Sequence, residues 1–181
     1  VKRSESEYDP FGTAHSSTAV SAGLGIKIAK DIKRDSANVI CVVGDGALSA
    51  GLAFEGLNNA GALKKKLIVI LNDNKISIDK QVGAMSTYLT RLLSSKSYSS
   101  LRNVIKKFSK TFPDSLSKTL YRTEEYSKGL LSGGTLFEEL GFYYLGPIDG
   151  HNINDLVPVL ENIRDNKLDK PIFLHCITKK G

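Results

Sequence analysis

Gly44-Asp45-Gly46 closes one short apolar run and Asn72-Asp73-Asn74 closes another, with 25 residues between the triplets. Asp45 offers a hard carboxylate, and Asn72, Asp73 and Asn74 offer hard carbonyl or carboxylate oxygens. Gly44 and Gly46 let the backbone approach an anion closely, and a helix starting near Ala47 would point its free N–H groups at the same spot. Hard oxygens beside a phosphate cradle describe a site for Mg²⁺ carrying a diphosphate. Either triplet alone is ordinary turn sequence. The signal lies in both together, each after a buried-strand pattern.

The elements that must position these residues are legible around them. Residues 39–43 and 67–71 are short β-branched runs, and residues 47–62 have helical spacing and length. That is a strand, helix, strand unit whose two strand ends lie side by side in a parallel sheet, at the edge where α/β folds bind ligands. Residues 1–14 read as loop, with turn signals at Asp9-Pro10 and Gly12. A helix is expected from Ser16 to about Lys33, and its small residues Ala19, Ala22, Gly23 and Gly25 would let another backbone pack closely. Gly23-Leu24-Gly25 is no dinucleotide fingerprint, because no strand precedes it and the third glycine is missing.

Residues 76–83 are polar and turn-like, and residues 84–133 are dense in serine and lysine. Their apolar residues (Leu89, Leu92, Leu93, Leu101, Val104, Ile105, Phe108) fall at looser helical spacing. Amphipathic helices joined by mobile loops are expected there, an insertion too long for an ordinary connection. It either covers the site, packs on a partner, or is a variable surface excursion. A short helix over residues 135–140 ends at Gly141, and residues 142–145 read as a strand. Gly146-Pro147 and Asp149-Gly150 then supply turn chemistry. Asn152 or Asn154 can cap a helix to about Asp165, and residues 171–177 form the last strand. The alternation predicts an α/β fold: a doubly wound, mostly parallel sheet flanked by helices.

Composition sets bounds. The 181 residues make one domain-sized unit, and 41% hydrophobic with 24% charged residues is the balance of a soluble globular protein. No apolar run approaches the roughly 20 residues that span a bilayer. The charged start shows no signal-peptide core, so a cytoplasmic location is expected, or a plastid one in a plant or alga. Cys41 and Cys176 lie in apolar strand-like runs and read as buried reduced thiols rather than a disulfide. The net charge of +6 comes from scattered residues, the longest run being Lys64-Lys65-Lys66 between helix and strand. Without interleaved aromatics it points to a phosphorylated ligand rather than nucleic acid. Three scattered histidines and no Cys-x-x-Cys pair argue against zinc.

Gly44-Asp45-Gly46 and the spaced Asn72-Asp73-Asn74 resemble the thiamin-diphosphate motif of transketolases and related enzymes. The resemblance narrows with residues 4–9, 15–18, 44–47, Phe54-Glu55, 135–141, 146–151 and 178–181. Together these resemble the 1-deoxy-D-xylulose-5-phosphate synthase family over essentially the whole chain, more loosely across 84–133. The resemblance implies a thiamin-diphosphate-binding fold, with residues 1–181 a partial diphosphate- and Mg²⁺-binding domain. In the family, a second domain supplies the glutamate that activates the aminopyrimidine ring, and a third helps dimerise. A further histidine lies ahead of the region where this sequence starts. This stretch alone is therefore expected not to turn over. The implied activity is condensation of pyruvate with D-glyceraldehyde 3-phosphate, with loss of CO₂, in a homodimer using thiamin diphosphate and Mg²⁺.

By the same resemblance, Asp45 and Asn74 would be side-chain ligands of Mg²⁺ and the Ile76 carbonyl a third, with Gly44, Gly46 and Ala47 against the diphosphate. Asn72 is expected to fix the loop rather than bind metal, and Asp73 to be a loop residue. His15 sits where a loop meets a helix start with Ser16 behind it, and can donate to an anion or relay a proton. The family places the matching histidine by cofactor and substrate, though Ala14 stands where glycine is frequent. Glu55, on an otherwise apolar helix, matches a glutamate that related enzymes hold at the subunit interface near the cofactor; an exposed face is the other reading. Lys179 or Lys180 could reach a phosphate, or be a solvated pair. His151 and His175 read as structural. Two other functions stay open: another transketolase-like enzyme, and a non-catalytic truncated module for binding or dimerisation.

Overall fold

Val39–Gly44 (β1), Leu67–Asp73 (β2), Tyr143–Asp149 (β3) and Ile172–Ile177 (β4) pair in parallel in the order β1-β2-β4-β3. The computed structural model describes residues 2–76, 83–94, 135–165 and 168–180. The serine- and lysine-rich stretch beyond Ser94, including Leu101, Val104, Ile105 and Phe108, lies outside the described residues. Every strand runs the same way, so the ends at Gly44, Asp73, Asp149 and Ile177 meet at one edge. Register fixes the neighbours there: Gly44 pairs with Asn72, and Asp73 with Ile177.

Strand alternation sends odd and even residues of β1 and β2 to opposite faces. On one face Val39, Cys41, Val43, Leu67, Val69, Leu71 and Phe173 join a core with Ala19–Ile32 (α1) and Gly51–Leu63 (α3). Leu89 of Ala84–Ser94 (α4) and Phe137 of Leu136–Glu139 join the same core. On the other face Ile68, Ile148, Ile172, Leu174 and Cys176 pack against Ile153–Asp165, through Leu156, Val159, Leu160 and Ile163. Helices on both faces of a parallel sheet make the doubly wound arrangement that the alternation predicts.

The elements depart from the sequence reading in several places. The single helix expected over residues 47–62 is two: Asp45–Leu48 (α2), then α3. The Ser49 hydroxyl donates to the Gly46 carbonyl at 2.8 Å, and Ala50 adopts an extended conformation (φ −82°, ψ 147°). A serine that bonds its own backbone competes with helix continuation. The helix expected from Ser16 starts at Ala19, because Ser17 is left-handed (φ 67°). The strand expected over 142–145 continues as β3 through Gly146-Pro147 to Asp149. The pairing slips between Leu145 and Ile148, which accommodates a proline that cannot donate to the ladder. Gly146 (φ 120°) crosses so close to β4 that a Cβ there would lie 2.6 Å from the His175 carbonyl oxygen.

Leu136–Glu139 (α5) is held by a capping box between Thr135 and Glu138, one of its bonds 3.2 Å from the Glu138 amide to the Thr135 hydroxyl. Asn152 directly precedes Ile153–Asp165 (α6) and donates to Asp155 at 2.8 Å. Cys41 and Cys176 are buried and free, as expected. No helix among the described residues is long and apolar enough to cross a membrane.

Candidate functional site

Asp45 opens α2 directly beyond the end of β1, and it is 3% exposed. Its carboxylate takes two backbone N–H donors: Gly46 at 2.9 Å to Oδ1 and Lys75 at 2.7 Å to Oδ2. Next along the chain, the Ile76 amide donates to Asn74 Oδ1 at 2.9 Å. Asp45 and Asn74 therefore accept from consecutive amides, Lys75 and Ile76, at the tips of adjacent strands. A carboxylate offers about four lone-pair sites and an amide oxygen two, so these bonds leave capacity on both.

Asp73 is where the sequence reading fails. It is no loop residue but the last residue of β2, 2% exposed on the core side. Its Oδ1 also takes the Lys75 N–H, at 3.2 Å, and its Oδ2 lies 2.9 Å from His175 Nε2. His175, fully buried on β4, places Nδ1 2.8 Å from the Tyr144 hydroxyl on β3. Behind it Tyr144 stacks over Phe173, and Phe173 over Phe137 at 3.8 Å. Sequence reasoning missed Asp73, Lys75, Tyr144 and had His175 only as structural. The available signal was a polar residue at an inward position on two neighbouring apolar strands.

The two carboxylates act on each other, with opposite results. Burial pushes the Asp45 carboxyl up; the Gly46 amide opposes this, and the negative charge of Asp73 pushes the same way. Burial alone would raise Asp73 too, but the hydrogen bond and charge of His175 outweigh it and hold that carboxyl down.

The other expected residues fall around this cluster unevenly. A Cβ on Gly44 would meet nothing within 4 Å, so open space lies over the strand end. Gly46 already gives its N–H to Asp45, as does the amide of Lys75. The Ala19 carbonyl accepts from Cys41 Sγ at 3.3 Å, while Gly23 packs toward Val39 and Leu67 at the strand starts. His15 and Ser16 lie exposed in the loop that precedes α1. Glu55 stands apart on the exposed side of α3, bordering a groove with Ser21, Leu24, Leu52, Gly56 and Asn59. Lys179 borders a recess of about 190 Å³ with Asp149, His151, Ile177 and Thr178, and its amide donates to His151 Nε2 at 2.8 Å. Asn72 accepts from the Thr178 hydroxyl at 2.6 Å, which ties β2 to the end of β4.

No group of three His, Cys, Asp or Glu side chains suited to a metal occurs among the described residues. A carboxylate and an amide oxygen at neighbouring strand tips would suit a hard cation that keeps water or phosphate oxygens for its remaining positions. The residues present fit Mg²⁺ with a diphosphate: hard oxygens at paired strand tips and an open approach over Gly44. A family model described as 1-deoxy-D-xylulose-5-phosphate synthase matches residues 1–178, and the chain belongs to that family.

Proposed function

We propose that this domain anchors the diphosphate of thiamin diphosphate through a Mg²⁺ ion held by Asp45, Asn74 and the Ile76 carbonyl. The enzyme it serves would condense pyruvate with D-glyceraldehyde 3-phosphate, losing CO₂, to form 1-deoxy-D-xylulose 5-phosphate. Family membership brings thiamin-diphosphate dependence, transferase chemistry and those two substrates, and so supports the reading. The observation that carries it is the acceptance of consecutive amides by Asp45 and Asn74 across the Gly44–Asn72 register.

When bound, thiamin diphosphate supplies the nucleophilic carbon and the electron sink for the reaction. The chain's own residues bind and orient. The Lys75 and Ile76 amides each hold one oxygen of Asp45 and Asn74 in place. Preorganisation of this kind reduces the ordering cost of binding. His15, exposed on the loop before α1, would donate to an anionic group of cofactor or substrate. Lys179 would place a point charge toward a phosphate from the end of β4. Glu55, exposed beside the α1–α3 groove, would act only when a second subunit covers that face.

Calorimetric titration of thiamin diphosphate into the full-length protein, with and without Mg²⁺, tests the proposal. Binding that needs Mg²⁺ and disappears in Asp45→Ala supports it. Unchanged affinity in that variant sinks the assignment of Asp45.

A further inference from the structure

We propose that Asp73 and His175 are positioning residues which, through the Lys75 amide, hold Asp45 and Asn74 in the geometry that binds the cation. The inference rests on the reading of Asp45 and Asn74 as ligands and extends it inward.

Lys75 is the pivot. It is left-handed (φ 61°), a conformation disfavoured for a residue with a Cβ, and so must be held by its surroundings. Its N–H is divided between Asp45 Oδ2 at 2.7 Å and Asp73 Oδ1 at 3.2 Å. Turning Lys75 would release Asp45 and carry with it the following Ile76 amide, which fixes Asn74 Oδ1.

Asp73 is itself fixed from behind. A carboxylate only accepts, so the imidazole carries its hydrogen on Nε2 and donates to Oδ2 at 2.9 Å. Nδ1, on the other side of the ring, lies 2.8 Å from the Tyr144 hydroxyl. Tyr144 is locked in turn by the aromatic stack with Phe173 and Phe137. The Asp73 carbonyl accepts from the Thr178 amide at 2.9 Å, which fixes the main chain as well. Among inward-facing strand positions otherwise filled by apolar side chains, a buried Tyr–His–Asp chain is costly unless complete. It reaches the Lys75 amide through Asp73 Oδ1. Partners that orient ligating groups in this way commonly change metal affinity by about 10–100-fold when removed.

The test uses the full-length protein with thiamin diphosphate and Mn²⁺ as the probe, reading free Mn²⁺ by electron paramagnetic resonance. His175→Leu, with Asp45 and Asn74 untouched, is expected to bind Mn²⁺ about 10–100-fold more weakly. His175→Gln, which keeps an N–H near the Nε2 position, is expected to restore most of that affinity. A folded Leu variant with native affinity overturns the proposal, as does a Gln variant as weak as Leu. Where the Leu variant does not fold, Tyr144→Phe decides, since it removes one hydroxyl from an unchanged ring: weaker Mn²⁺ binding supports the role and unchanged binding overturns it. Asp45→Ala separates the two layers. Native Mn²⁺ affinity in that variant defeats the ligand assignment itself; its loss, with His175→Leu native, defeats only the positioning role.

Discussion

Asp45 and Asp73 share one hydrogen-bond donor, the Lys75 amide, although they belong to different strand ends 28 positions apart in sequence. Two buried carboxylates drawn to one N–H repel each other, and the protein resolves the conflict asymmetrically. His175 stabilises the charge on Asp73, while burial and that same charge disfavour ionisation of Asp45. The less stabilised carboxylate is the one proposed to meet a cation.

Thermal unfolding should therefore respond to metal and cofactor together. A ligand at about 100 times its dissociation constant stabilises the native state by about 2.7 kcal/mol, a shift of several degrees for a domain of this size. Mg²⁺ with thiamin diphosphate should raise the midpoint, and a chelator should reverse the rise. Asp45→Ala should unfold at the same temperature with and without the pair; a full upward shift in that variant contradicts the proposed site.

Tyr88 bridges α4 and the start of α5. Its hydroxyl oxygen accepts the Leu136 amide at 2.5 Å, and its ring meets Phe137 edge-on at 6.2 Å. Tyr88→Phe keeps the ring contact and leaves a partly buried N–H without its acceptor, at a cost of about 1–3 kcal/mol. Denaturant titration should show a lower midpoint with unchanged slope. An unchanged midpoint would mean that water replaces the hydroxyl freely.

Much of this architecture was legible because the chain states it locally. The β-branched runs at 39–43 and 67–71 and the triplets closing them gave two strand ends that do pair side by side, and the family likeness led to the same edge. The misreadings have a common physical cause. Asp73 sits in a triplet that looks like loop, yet its inward orientation depends on register with Ile177, a pairing across 104 positions. His175 reads as structural, which its burial bears out, but its partners Tyr144 and Asp73 arrive on two other strands and cannot be read locally. Ser49 and Ala50 look helical by neighbourhood, and only the serine's bond to the Gly46 carbonyl shows the break. Long-range pairing and local side-chain competition are what periodicity leaves out.

Glycines in the two large helices of the α1–α3 layer should respond to the same substitution in opposite directions. A Cβ on Gly61 would lie 1.7 Å from the Leu140 carbonyl oxygen, a backbone atom that cannot step aside. Gly61→Ala should cost about 1–3 kcal/mol by overpacking. Gly25, exposed in α1, has nothing within 4 Å of such a Cβ. Gly25→Ala should instead stabilise by about 0.5–1 kcal/mol, from the backbone entropy that glycine loses on folding. Equal effects of the two in chemical denaturation would refute this packing of α3 against residue 140.

Alkylation should find neither cysteine in the folded protein. Burial pushes the Cys41 thiol up to about 12 and the Cys176 thiol up to about 11 from the ordinary 9.0, and Cys41 also donates its S–H to the Ala19 carbonyl. The thiolate is the reactive form, so at about pH 8 both are protonated as well as shielded. Iodoacetamide followed by peptide mass spectrometry should show Cys41 and Cys176 unmodified in buffer and both modified in denaturant. The same shifts fix a sign for stability. Between 9.0 and about 12 the unfolded chain releases thiol protons that the native state retains, so it binds fewer protons and stability falls as pH rises. Below 9.0 both states hold those protons and the contribution is constant. Replacing Cys41 by Ala should flatten this alkaline decline while costing some packing at neutral pH. A decline as steep in the variant as in the native protein would assign it to other groups.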